Sequence, residues 1–332
     1  MTFRYEAFGL GIGSNRPLPG LRQAAAGRPD VSVEFVEDRA PEPDPRAPET
    51  MASMGSGSIR RCDDGARVLR FASHRGESAW SMRVSGDGRD IEVSWRGPIE
   101  LPDITAFVEV TGLSTVLALR GVPLLHGCAV DMGDAAFLVL GEGGAGKSTL
   151  AAAAVAGGRA LLSDDIAALD GDGPAVRVRP GGCRLRMNAD TARALGWDPG
   201  RLARVFKTPA LPPKLSAPLS MADGSLSAGA RRVAAVFVLG ERRTGPVRID
   251  RLAPAAALPL VLGNTFGDRL RDARERARLL PFWTRLAREV PVHAVAPPDG
   301  LEAAPSVVEA LAAVAQPTGR SGRLPYILPR PR

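Results

Sequence analysis

The stretch "AAFLVLGEGGAGKSTLAAAAVA", residues 135–156, leaves the chain little conformational freedom. Its first seven residues are uncharged and do not alternate, the pattern of a strand buried on both faces. Its last ten, beginning at Lys147, are dominated by alanine, the strongest helix former. Between them lie Gly141, Gly143, Gly144 and Gly146, which accept the positive φ angles that a sharp passage from strand to helix demands. The letters fit G-x-x-x-x-G-K-[ST], with Gly141, Gly146, Lys147 and Ser148 on the fixed positions. A chain with 37 glycines can spell such a run as a plain structural turn. The strand before it and the helix after it favour a phosphate-binding loop. In that reading, the backbone N–H groups of Gly141, Gly143, Gly144, Ala145 and Gly146 surround an anion at a helix N-terminus. Lys147 reaches β- and γ-phosphates, the Ser148 hydroxyl takes a Mg2+ position, and Thr149 completes the nucleotide-binding set.

The next informative residues are Asp164 and Asp165 in "LLSDD", read as the end of the strand that follows the loop helix. In a parallel α/β sheet that strand end faces the same crevice as the loop. One carboxylate there can hold Mg2+ and its neighbour can accept a proton from an attacking hydroxyl. The bland alternative is a solvated turn or a helix cap. His126 in "LLHGCAV", on the strand before the loop, is by default a satisfied core histidine. Beside a polyphosphate site, it can instead orient an acidic residue or touch phosphate.

Around this centre, residues 1–104 read as a strand-rich N-terminal domain, with strands at "VSVEFVE", "ARVLRFAS", "SAWSMRVSG" and "RDIEVSWRG". The run "DRAPEPDPRAPETMASMGSGS" (38–58) reads as a mobile surface loop. Apolar residues recur at helical spacing in "PDITAFVEVTGLSTVLALRG", which predicts a linking helix. Residues 105–315 alternate strands and helices, the signature of an α/β core. Here "VPLLHGCAV", "RVAAVFVLG" and "VPVHAVAP" are strands, "RALLSDDIAALD" is strand, turn and strand, and "FGDRLRDARERARLLPFWTRLARE" and "PSVVEALAAVA" are helices. Residues 316–332 read as a flexible basic tail. No internal repeat is evident.

Composition narrows the function classes. With 45% hydrophobic and 24% charged residues, the chain is neither disordered nor fibrous. A net charge of +7, almost all of it arginine, suits anionic ligands. The arginines are dispersed and only 5% of residues are aromatic, which argues against nucleic acid as a partner. Cys62, Cys128 and Cys183 form no C-x-x-C pair, and with only His74, His126 and His293 a zinc site is not expected. Without a leader segment or an apolar run approaching 18 residues, the expectation is a cytoplasmic protein with no membrane partner.

Taken together, His126, the 141–149 loop and the Asp pair resemble the HPr kinase/phosphorylase family and its HPr-kinase-like relatives. In that family an H-G strand, a phosphate loop and a D-D pair follow in this order. His126 lies 21 positions before Lys147, and Asp164 and Asp165 lie 17 and 18 after it. The opening "YEAFGLGIGSNRPLPGL" also looks like the start of HPr-kinase-like proteins, including kinases of lasso-peptide precursors. The resemblance implies an α/β fold, a P-loop kinase core related to HPr kinase and phosphoenolpyruvate carboxykinase, preceded by the smaller strand-rich domain. It implies Lys147 as the phosphate lysine, Ser148 and Asp164 in the metal shell, Asp165 as the base for a substrate serine, and His126 as its assistant. ATP and Mg2+ follow as cofactors. One departure concerns the family's Glu-x-Arg-Gly signature: "VRVRPGGCRLRM" has no acidic residue, so phosphorylase activity and HPr as substrate are not expected. Arg179, Arg184 and Arg186 are expected on the surface, with a role facing phosphate or an acidic peptide as the alternative. Lys207 and Lys214, the only other lysines, fall in a Pro-rich loop that could cover the site.

The expected function is thus an ATP- and Mg2+-dependent kinase acting on a serine of a peptide or protein, a lasso-type precursor among the candidates. The alternatives are a small-molecule kinase and a nucleotide-sensing regulator without transfer. The N-terminal domain is expected to select the partner, through a sheet edge that pairs with an extended peptide. Oligomeric state and base preference are left open.

Overall fold

The computed structural model describes residues 2–25, 27–37, 56–72, 79–97, 99–208 and 211–316. In the N-terminal part the strands are β1 (Phe3–Ala7), β2 (Leu10–Ser14), β3 (Arg22–Gln23), β4 (Val31–Glu37), β5 (Ser56–Arg61), β6 (Arg67–Ala72), β7 (Ala79–Val84) and β8 (Asp90–Arg96). They form one eight-stranded sheet in the order β3-β1-β2-β4-β8-β7-β6-β5. β4 is parallel to β2 and β8, and the other pairs are antiparallel. Along β4, buried and exposed residues alternate, as period-2 patterning requires of a sheet covered on one face. The loop expected at 38–58 ends earlier, because Ser56, Gly57 and Ser58 already belong to β5; its remainder, 38–55, lies outside the described residues.

The linking helix is α1 (Leu101–Phe107), a π-helical turn (Val108–Gly112) and α2 (Leu113–Leu119), continuous in sequence. The 101–119 span is long and apolar enough to cross a membrane by length and composition, but 78% of its most apolar stretch is buried inside the protein. Ile104, Val108, Leu113, Val116 and Leu117 enter the core of the N-terminal sheet. Leu124, Ile166, Ala168 and Leu270, from beyond the helix, pack into that same core.

The remaining elements follow in order: β9 (Leu124–Asp131), β10 (Ala135–Gly141), α3 (Lys147–Ala156), β11 (Leu161–Ser163), β12 (Ile166–Asp170), β13 (Arg177–Val178), β14 (Arg184–Met187) and α4 (Ala189–Ala194). Then come β15 (Ala203–Arg204), β16 (Leu215–Pro218), β17 (Arg231–Leu239), β18 (Arg248–Arg251), α5 (Pro254–Gly263), α6 (Ala273–Glu289), β19 (Val292–Ala296) and α7 (Ala304–Ala315). The second sheet runs β10-β9-β12-β13-β17-β19-β18, and a further β10–β17 pairing closes β10, β9, β12, β13 and β17 into a ring. One face is covered by α3 and α7, the other by α5 and α6, so β10 is buried at all seven positions. β14, β15 and β16 make a third, small sheet that packs Leu185, Met187 and Leu215 beside α3.

The expectations for the sheet and for one helix start need correction. The sheet is mixed rather than parallel: β10–β17 and β17–β19 are parallel, while β9 is antiparallel to β10, β11 and β12. "RALLSDDIAALD" forms strand, bend and strand as expected, with β11 and β12 both lying antiparallel along β9 and Asp164–Asp165 as the break between them. The helix expected from Phe266 begins only at Ala273. Gly267 adopts a left-handed φ of 71°, and Asp272 and Glu275 form a reciprocal capping box that sets the true start.

Candidate functional site

The site is built at one level across three adjacent strands. β10 pairs Leu140 with Gly127 of β9, and on the other edge of β9 the Gly127 N–H donates to the Asp165 carbonyl at 3.1 Å. The end of β10, the His126–Gly127 pair and the break between β11 and β12 therefore share one row. Gly127 is required there, because a Cβ would overlap the Val139 carbonyl and crowd the Leu140 side chain. In the break, Asp165 holds a left-handed φ of 64°, which aspartate tolerates better than most residues but at a cost.

From Gly141 the chain leaves β10 with φ of 145°, and Gly144 and Gly146 take φ of 83° and 108° before α3 begins at Lys147. These angles explain the glycines directly. At Gly141, a Cβ would stand 3.0 Å from the Leu239 carbonyl as well. Gly143 has open space around it. Ala145 N–H donates to Glu142 O at 3.2 Å, tightening the loop. Lys147 is 8% exposed, and its ammonium donates to the carbonyls of Gly141 (2.6 Å) and Glu142 (2.9 Å). Burial lowers its pKa and Lys214 adds to this, while Asp165 and Asp164 pull the other way. Ser148 is the second residue of α3; Thr149 turns to Thr191 of α4, with 3.3 Å between the hydroxyl oxygens.

Asp164 and Asp165 have different environments. Asp164 Oδ1 accepts from the Asp165 N–H (3.0 Å) and its Oδ2 from the Arg186 N–H (2.9 Å). Burial and the neighbouring Asp165 charge nevertheless push its carboxyl up to about 7. Asp165 points its carboxylate to the Arg186 guanidinium, 3.4 Å away. His126 Nδ1 lies 3.1 Å from the Asp165 carbonyl oxygen, so the ring braces the backbone of that aspartate rather than its carboxylate. Burial, and then the Lys147 charge, lower the His126 pKa. Cys128, also on β9, is fully buried with its thiol pKa pushed up by burial, and it directs Sγ to the Lys147 carbonyl at 3.8 Å.

A cleft of about 980 Å3 opens beside the loop, lined by His126, Gly141, Glu142, Gly143, Ala145 and the 263–267 turn among others. Asp164, Asp165 and Lys147 are outside its lining. Sequence reasoning missed several residues that hold this arrangement. Asn264 accepts from the Gly141 N–H through Oδ1 (2.9 Å), and its carbonyl accepts from the His126 N–H (2.8 Å), tying loop to strand. Arg186, expected on the surface, is largely buried, its side chain 13% exposed. Arg184 donates to Pro19 O and Arg179 pairs with Asp170. Arg242 brings Nη2 to 3.6 Å from where a Cβ on Gly146 would stand. Nothing in spacing or periodicity singles out these residues, whose partners lie far away in sequence. Lys214 acts electrostatically on His126, Lys147 and Asp164, which places it near the site, and Phe206 packs tilted against Phe107 with ring centroids 5.4 Å apart.

Among the described residues, no group of three or more His, Cys, Asp or Glu side chains is placed to hold a metal. Asp164 and Ser148 carry oxygen donors, the donor type of Mg2+ rather than of a soft metal.

No protein-family model matches the chain, and no curated protein matches it. Among solved structures, it is similar to the Hpr(Ser) kinase/phosphatase from Coxiella burnetii, with 13% sequence identity over 57% of this chain and 94% of that one and a TM-score of 0.30. Such a likeness is distant, and says nothing of the reaction.

Proposed function

We propose that the protein is a kinase that uses ATP and Mg2+ to phosphorylate a hydroxyl group, with a serine of a peptide or protein as the acceptor. One observation carries this reading: the glycine loop that holds the buried Lys147, a histidine on the Asp165 carbonyl and two aspartates with different partners come together at one end of β10 and β9. A merely structural turn would need none of the last three.

The chemistry assigned to each residue follows from its surroundings. The loop N–H groups and the start of α3 favour polyphosphate. Lys147 supplies positive charge at the β- and γ-phosphates. Asp164 and Ser148 would hold Mg2+, which when bound neutralises charge on the phosphates. The raised proton affinity of Asp164 is what a nearby cation would offset. Asp165 takes the proton of the acceptor hydroxyl as that oxygen bonds to phosphorus and the bond to the departing nucleoside diphosphate breaks. His126 keeps the Asp165 backbone in its left-handed conformation.

The test is mass spectrometry of serine-bearing peptides, lasso-type precursors included, after incubation with ATP, Mg2+ and protein. A gain of one phosphoryl group with wild type, absent with Asp165→Asn and Lys147→Ala, is expected. Transfer retained by Asp165→Asn would remove that residue as the base. Phosphorylation of small hydroxyl compounds but no peptide would reassign the acceptor.

A further inference from the structure

The N-terminal sheet touches this site through a short chain of charged contacts. Glu109 sits on the π-helical turn of the linking helix, a local distortion that is frequent at functional positions. Its side chain is 6% exposed, and Oε1 accepts from the Gly20 N–H at 2.6 Å. It also pairs with Arg186, whose Nη2 lies 3.9 Å away, while Nη1 of the same guanidinium reaches Asp165 at 3.4 Å. Nη2 also approaches the Ala106 carbonyl at 3.4 Å. Gly20 is a crossing point: its N–H goes to Glu109, and its carbonyl accepts from Cys183 N at 2.8 Å, three residues before Arg186. The loop that carries Gly20 is itself fixed, with Leu18 and Leu21 buried and the Leu18 N–H donating to the Tyr5 hydroxyl at 2.9 Å. A carboxylate buried this deeply costs stability unless its partners are in place.

We propose that Glu109 is a positioning residue for Asp165: acting through Arg186, it fixes the carboxylate that takes the acceptor's proton, and the Gly20 N–H fixes Glu109, so that the N-terminal sheet completes the site. The inference rests on the kinase reading for the role of Asp165, but the contacts themselves do not. Gly20 has no freedom to carry a side chain, since a Cβ would overlap the Glu109 carboxylate. Perturbation from the N-terminal side should therefore mimic perturbation of Glu109.

The experiment compares wild type with Glu109→Gln, Gly20→Ala, Arg186→Ala, Arg186→Lys and the Glu109→Gln/Arg186→Ala double variant. MgATP affinity, phosphoryl turnover and amide exchange of the 163–168 segment are measured in each. Glu109→Gln and Gly20→Ala should each lower turnover by about tenfold or more while ATP affinity stays within about threefold, as expected of a misplaced reacting group. Arg186→Lys should recover part of what Arg186→Ala loses. Glu109→Gln should add nothing in the Arg186→Ala background, because the two act as one unit. Exchange across 163–168 should quicken in Glu109→Gln and Gly20→Ala. Losses that add in the double variant, or exchange at 163–168 unchanged in both single variants, would overturn the proposal. If wild type binds ATP but transfers nothing, the kinase reading falls, and the exchange result alone decides whether Glu109 positions the Asp pair.

Discussion

Along β4 of the N-terminal sheet, "VSVEFVE" alternates buried and exposed residues, whereas β10 of the second sheet buries all seven of "AAFLVLG". The first sheet presents one face to the linking helix; the second is covered on both faces, by α3 and α7 and by α5 and α6. A one-sided sheet can absorb a change on its outer face, but a two-sided one must satisfy every interruption internally. Three special positions of the second sheet share one row: Gly127, the exit of β10 at Gly141, and the break between Asp164 and Asp165. Each is met by a named partner: Asp165 O, Asn264 Oδ1 and Arg186 N. The lesson is that, where the proposed chemistry lies, the doubly buried sheet meets each departure from regular pairing with a specific internal partner.

The largest effect should come from the two-sided core. Phe237→Ala, fully buried between Phe137 and His293, should cost about 3–5 kcal/mol by chemical denaturation. Ile59→Ala on β5, 40% exposed, should stay within about 0.5 kcal/mol. Equal losses would break the comparison. Next is pH. The Asp164 carboxyl is raised from the ordinary carboxylate range to about 7 in the folded, metal-free protein, so folding takes up a proton between these values. The stabilisation is complete below the unfolded pKa near 3.8 and is lost as pH rises through about 7, an effect of at most about 4 kcal/mol. Carboxyl NMR should show Asp164 titrating near 7, and Asp165→Asn should bring it down, since the Asp165 charge is the second cause of the shift.

Glycines sharpen the contrast. Gly127→Ala should destabilise by about 1–3 kcal/mol, because its Cβ would meet rigid backbone. Gly11→Ala on β2, where the nearest atom would be 3.5 Å away, should change stability by less than about 0.5 kcal/mol. The smallest effect concerns the strained break. Asp165→Gly should be more stable than Asp165→Ala by about 1 kcal/mol, since only the glycine relieves the left-handed φ. A reversed order would mean that the break stores no backbone strain.

Elements whose signal is local were legible in the sequence. "AAFLVLG", "KSTLAAAAVA" and "PSVVEALAAVA" carry their own periodicity and breakers, and they form the expected strand and helices. The break at Asp164–Asp165 was legible because two aspartates interrupt an apolar run; that Ile166 pairs with His126, so both strands lie along β9, was not. α5 and the small third sheet were missed. "RLRM" alternates arginine with apolar residues and gains meaning only when Met187 meets Leu215. In the site, the motif residues Lys147, His126, Asp164 and Asp165 could be named from spacing. Their supports could not. Glu109 is hidden in the apolar pattern of a linking helix and meets Gly20 from 89 positions away, and Asn264 reaches Gly141 from 123.

The central claim, that the interrupted row is a phosphoryl-transfer site, is tested most directly by phosphorus NMR of MgATP incubated with the protein and a pool of serine-bearing peptides. The γ-phosphorus resonance should disappear with wild type and a phosphoserine resonance should grow, while Asp165→Asn leaves ATP bound but intact. ATP that binds and persists with wild type, or is consumed equally by Asp165→Asn, would contradict the account.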